Sequence, residues 1–162
     1  MVMDLYGPNL AQLMKLCGGK FSARTTLLIS LQILDRLEDV HNKKFLYSGL
    51  CPENFLIGLN RESFLIYMVD FSRSTIYKSK SKSIHIPYQQ TNLYESPIFD
   101  HIFSSVNSQL RIQMSRRDDI ESFMYLILFL FKGRLPWTML DNQKFASKFN
   151  VSFNKEQANN KK

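Results

Sequence analysis

The sequence predicts a mainly α domain with one small β-hairpin. Two segments carry apolar residues three and four apart, each behind a capping residue, and read as helices. Two short β-type runs, Phe55–Leu59 and Phe64–Val69, flank the polar turn Asn60-Arg61-Glu62-Ser63 and read as a hairpin. The nine-residue apolar stretch from Phe123 to Phe131 supplies a further helix. With 162 residues, 44% hydrophobic and 13% aromatic, the chain has room for one domain with a sizeable core, which excludes wholesale disorder.

Taken in order, the first helix starts behind Asn9, runs through Leu10, Leu13, Met14 and Leu16, and stops at Gly18-Gly19. The second follows Ser22, and Leu27, Leu28, Leu31, Leu34, Leu37 and His41 mark its expected buried stripe. Residues 43–54 form a loop punctuated by Gly49 and Pro52. After the hairpin, Asp70 to Asn107 is polar and Ser-rich with little periodicity, a long loop that is either functional or disordered. The helix over residues 118–131 ends at Gly133 and is apolar nearly all round, which suits burial on every side. Trp137 is expected to pack at its end. Beyond Leu140 the pattern is lost, and residues 141–162 read as a polar, basic, disordered tail.

Two cysteines, Cys17 and Cys51, are too few for a disulfide framework and favour a reducing intracellular compartment, cytoplasmic or nuclear. A membrane-spanning helix needs about 20 apolar residues, so the nine-residue stretch predicts no membrane span. Residues 1–8 have no cationic region and no long apolar stretch, unlike a secretory signal. The net charge of +7 concentrates around Lys78, Lys80 and Lys82 and in the tail ending Lys161-Lys162. Such charges attract anions, nucleic acid or acidic proteins, but a solvated loop and tail account for them equally. No base-stacking aromatic pattern accompanies them, so nucleic acid is not the expected partner.

Several short stretches fall in a specific order. They are Met3-Asp4-Leu5-Tyr6-Gly7-Pro8-Asn9-Leu10, Pro52-Glu53-Asn54-Phe55-Leu56-Ile57-Gly58 and Val69-Asp70-Phe71, then His85-Ile86-Pro87-Tyr88, Ser115-Arg116-Arg117-Asp118-Asp119 and Gly133-Arg134-Leu135-Pro136-Trp137. Together they resemble the large, C-terminal lobe of a protein kinase, and the Ser-Arg-Arg-Asp-Asp and Leu-Pro-Trp elements are similar to the casein kinase I family. The resemblance covers residues 1 to about 140. It implies a partial kinase domain beginning at the hinge, without the small lobe and without the later helices that cover the central helix.

The resemblance also assigns positions. Asn54 and Asp70 fall on the Mg²⁺-binding pair, with Asp70-Phe71-Ser72 replacing Asp-Phe-Gly. Their alternative role is to satisfy backbone groups at the two ends of the hairpin. Asp4 and Leu5 fall on the hinge, and Leu56 and Val69 beneath a nucleotide base. Asp119 matches the aspartate that caps the catalytic loop's backbone. Arg116, Arg117 and Glu121 either pair with the activation segment or form an exposed charge cluster. Gly49 occupies the slot of the aspartate that accepts the substrate hydroxyl's proton. Cys51 stands where the family carries a phosphate-steadying lysine, and Ile102 in the slot of a substrate-binding arginine. No glycine-rich phosphate loop is present.

The expectation is therefore a casein kinase I-like relative without catalytic residues. As written it needs no cofactor, and it acts as a binding module whose protein partner covers the exposed central-helix face. The alternative is a serine/threonine kinase using ATP and Mg²⁺, with its missing parts supplied from elsewhere. Binding of nucleic acid through the lysines is the weaker third reading.

Overall fold

The computed structural model describes residues 4–78, 85–87 and 102–138. They form a small mixed α/β domain with four helices and two small antiparallel sheets.

Helix α1 (Leu10–Leu16) opens with a reciprocal cap. Asn9 Oδ1 accepts from the Gln12 amide at 2.8 Å while Gln12 Oε1 accepts from the Asn9 amide at 3.0 Å. Gly18 and Gly19 end it, with φ of 73° and 88°, a backbone that favours glycine. Helix α2 (Ala23–Asn42) starts at Ser22, whose Oγ accepts from the Thr25 amide at 3.1 Å.

The buried side of α2 agrees with the expected stripe at Leu37 and His41 and differs elsewhere. Thr26, Ile29, Ile33, Leu37 and His41 face the core, whereas Leu27, Leu28, Leu31 and Leu34 are 42–63% exposed. Both sets recur at helical spacing, so periodicity alone does not choose between them. Tertiary contacts choose. The Gln32 amide donates to Phe64 O at 3.0 Å and accepts from the Ile66 amide at 2.9 Å, which pins the hairpin to one flank.

That hairpin pairs β2 (Phe55–Ile57) with β3 (Ile66–Met68) in the register Phe55–Met68, Leu56–Tyr67 and Ile57–Ile66. A 3₁₀ turn at Asn60–Glu62 joins them. Gly58 is required there, because a Cβ would lie 2.3 Å from Glu62 O. The N-terminal segment lines the other edge of β2: the Gly7 amide donates to Ile57 O at 2.9 Å and the Ile57 amide to Pro8 O at 3.2 Å.

A second, unexpected sheet pairs β1 (Phe45–Leu46) with β4 (Thr75–Ile76). It corrects the expectation of an unpatterned stretch from Asp70 to Asn107, as does helix α3 (Val106–Gln109). Residues 79–84 and 88–101 of that stretch, and the tail at 141–162, lie outside the described residues.

Helix α4 (Arg116–Lys132) begins with a capping box, Ser115 N donating to Asp118 Oδ2 at 2.7 Å, and ends at left-handed Gly133. It runs antiparallel to α2. The Phe21 amide donates to Leu130 O at 2.8 Å at one end, and His41 meets Asp119 at the other. Ile33, Leu37, Phe55, Leu126 and Leu130 are at or near zero exposure between these elements. Burial of α4 on every side does not hold: Ile120, Met124, Leu128 and Phe131 are 38–51% exposed along one face. Among the described residues no helix is long and apolar enough to cross a membrane.

Candidate functional site

The loop between β1 and β2 is held from below by one carboxylate. Asp119, buried near the start of α4, accepts from the Tyr47 amide (Oδ2, 2.9 Å) and the Ser48 amide (Oδ1, 2.9 Å). Its Oδ2 also accepts from His41 Nε2 at 2.7 Å. Its four lone-pair directions thus take three donors, from helix α2 and from the loop. The backbone needs this support, since Ser48 sits at φ 56°, a left-handed conformation costly for a residue with a Cβ. Its Oγ is buried without a hydrogen-bond partner.

Tyr47 is fully buried, with its ring against Phe55 and, edge-on at 5.3 Å, against Phe71. Its hydroxyl donates to Val69 O. Burial first, then the nearby Cys51 and Asp70, push this phenol far above its ordinary range. Val69 and Asn54 thus hydrogen-bond this hydroxyl, while Cys51 and Asp70 act on it through their charge. Asn54 binds the loop to itself, donating from Nδ2 to Gly49 O at 2.8 Å and accepting the Val69 amide at 3.0 Å.

Asp70 is exposed and left-handed (φ 57°), and its Oδ1 accepts from the Ser72 amide at 3.2 Å. Ser72's hydrogen bonds hold the carboxyl below its ordinary range. In this geometry Asn54 and Asp70 each serve backbone groups at the hairpin's ends. Their remaining oxygens, one amide and one carboxylate, are of the kind Mg²⁺ takes, though that ion draws most of its shell from water and phosphate. Among the described residues no group of three or more His, Cys, Asp or Glu could hold a metal.

The proposed nucleotide wall is less developed. Leu56 and Val69 are half-buried, Leu56 lying opposite Asn9, while Asp4 is exposed and Leu5 is 84% exposed. Gly49 contributes no side chain, and Cys51 is half-buried. Behind them lies a small cleft lined by Ser48, Gly49, Cys51, Arg73, Ser104 and Asp118.

Asp118 is a second buried hub. Its Oδ1 accepts from Ser105 Oγ and Asn107 Nδ2, both at 2.9 Å, so the start of α4 holds the segment before it. Glu121 reaches the same segment by hydrogen bond, accepting the Val106 amide at 3.0 Å and the Tyr125 hydroxyl at 2.6 Å. Arg117 pairs with its neighbour Asp118 at 3.7 Å, and Arg116 lies over the Tyr77 ring. Ile102 serves through its backbone, accepting from Trp137 Nε1 at 2.8 Å. Trp137 packs edge-on against Tyr125, midway along α4 rather than at its end.

Sequence reasoning placed His41 on an apolar stripe and missed its bond to Asp119. A histidine closing a buried helical stripe was the available signal, since a buried imidazole needs a partner. No protein-family model matches the chain.

Proposed function

We propose that this chain is a casein kinase I-like large-lobe domain that does not transfer phosphate and works as a protein-binding module. One observation carries the reading: the loop from Tyr47 to Asn54 is fastened by Asp119 yet offers no proton acceptor at Gly49. Glycine can neither orient a hydroxyl nor take its proton, and loss of a general base costs about 10²–10⁴ in rate. Cys51 brings a thiol where transferred phosphate would need a fixed cation. The partner is a protein that covers the outward stripe Ile120, Met124, Leu128 and Phe131 of α4. The cytoplasm or nucleus is the proposed compartment, in keeping with Cys17 and Cys51 forming no disulfide.

A second reading draws on Asn54 and Asp70, which both act on the Tyr47 phenol. It is a serine/threonine kinase that uses ATP and Mg²⁺, with the rest of its machinery outside this sequence. Grafting Gly49-Leu50-Cys51 into the matching slots of an active casein kinase I enzyme separates the two. Transfer to a peptide should fall by about 10²–10⁴. Undiminished transfer, or Asp70-dependent transfer by the present chain with Mg-ATP, overturns the inactive reading.

A further inference from the structure

We propose that this chain self-associates, with α2 of one copy docked antiparallel on α2 of a second copy about a two-fold axis at Leu31. This inference is independent of the kinase reading, because it rests only on the outward face of α2. Leu27, Leu28, Leu31 and Leu34 are 63, 57, 61 and 42% exposed. Four leucines on one helical face form an apolar stripe of the kind that marks a protein contact.

What commits the stripe to a second copy is its symmetry. In an antiparallel pair centred on Leu31, residues whose numbers add to twice 31 stand opposite each other. Leu28 then meets Leu34 of the second copy, Leu31 meets itself, and Arg24 meets Glu38 of the second copy. Arg24 and Glu38 sit seven residues on either side of Leu31, about 10 Å along the axis in each direction. All the residues that this arrangement brings into contact are exposed. Among the described residues, neither Arg24 nor Glu38 has an ion-pair partner within the fold. A two-fold interface must complement itself, and it uses each pair twice. Here it closes three leucine layers, the middle one Leu31 on Leu31, between two Arg–Glu pairs. Asp35 falls opposite Leu27, one turn from Arg24 of the second copy, and adds to the same end. Each copy carries a net charge of +7, so the leucines must supply the adhesion while the end pairs set direction and register. One helix face is smaller than a standard interface, so the dimer should be weak.

Sedimentation equilibrium of the full chain up to roughly 100 µM tests this, a range suited to weak interfaces. The wild type should show a monomer–dimer equilibrium, and Leu31→Glu should abolish it. Arg24→Glu should weaken it roughly tenfold by replacing two attractions with two repulsions. The double variant Arg24→Glu with Glu38→Arg should restore it, which only an antiparallel arrangement predicts. Circular dichroism checks that each variant remains folded, as exposed sites should allow. A wild-type monomer throughout overturns the proposal. So does a dimer indifferent to Leu31→Glu, which would place the contact on another face such as that of α4. A monomer markedly destabilised by Leu31→Glu also overturns it, because the stripe would then be covered by the chain itself. Failure of the double swap to restore association overturns the antiparallel register.

Discussion

His41 Nε2 and Asp119 Oδ2 lie 2.7 Å apart, both buried, across 78 residues of sequence. The imidazole comes from the last turn of α2 and the carboxylate from the first turn of α4. The same carboxylate takes the amides of Tyr47 and Ser48. Helix, helix and loop therefore share one acceptor. Asp119→Ala would strand an imidazole and two amides in the interior. Leaving a buried donor unsatisfied costs about 1–3 kcal/mol, and urea denaturation should show a loss of at least that size.

Ser48 offers the opposite sign. Its left-handed backbone and its unpartnered hydroxyl both cost stability. Ser48→Gly removes both and should stabilise the fold by about 1 kcal/mol after the added flexibility of the unfolded chain is subtracted. A rise in the urea midpoint at constant slope is the expected result.

At Gly49 an introduced aspartate meets a crowded site. Its Cβ would come 3.2 Å from Tyr47 Cζ and 3.4 Å from Asn54 Nδ2. Gly49→Asp should cost about 1–3 kcal/mol by overpacking, measured by denaturation. The loop is packed closely around a position without a side chain, so adding one there carries a stability cost.

The two faces of α2 should respond differently. Ile33 is fully buried, and Ile33→Ala should cost about 2–5 kcal/mol. Leu27→Ala, at an exposed site, should change stability by less than about 0.5 kcal/mol. Both are measured in dilute chain, where association is negligible.

Tyr125 sets an alkaline limit. Burial and then its hydrogen bond to Glu121 push the phenol up to about 12, from 10.0. The folded state thus holds the proton more tightly than the unfolded state. The resulting stability is fully present below pH 10 and is lost as pH rises towards 12. Tyr125→Phe should lessen that decline in alkaline unfolding, and the near-ultraviolet phenolate band should lose its component near pH 12, the later Tyr47 component remaining.

The capped helix starts at Asn9 and Ser22, the stop at Gly133 and the β2–β3 hairpin were legible because each is a local event. Capping side chains, glycines and a polar turn act within a few residues. What was not legible depends on distant residues. The pairing of Phe45–Leu46 with Thr75–Ile76 involves strands of two residues each, too short for a propensity signal. The inward side of α2 was hidden because the helix is apolar on two sides, and the hairpin's bonds to Gln32 decide it. At the candidate site, resemblance pointed to Asp119 as the loop's anchor, but no local pattern pairs it with His41.

The span between His41 and Asp119 also has a consequence during synthesis. At about 5–20 residues per second, a 78-residue separation leaves α2 waiting about 4–16 seconds for its acceptor to be made. Through that interval Ile33, Leu37 and His41 lack the helix they pack against. Nascent chains stalled before residue 119 should therefore expose α2 to proteases and holdase chaperones, and protection should appear only once α4 has left the ribosome.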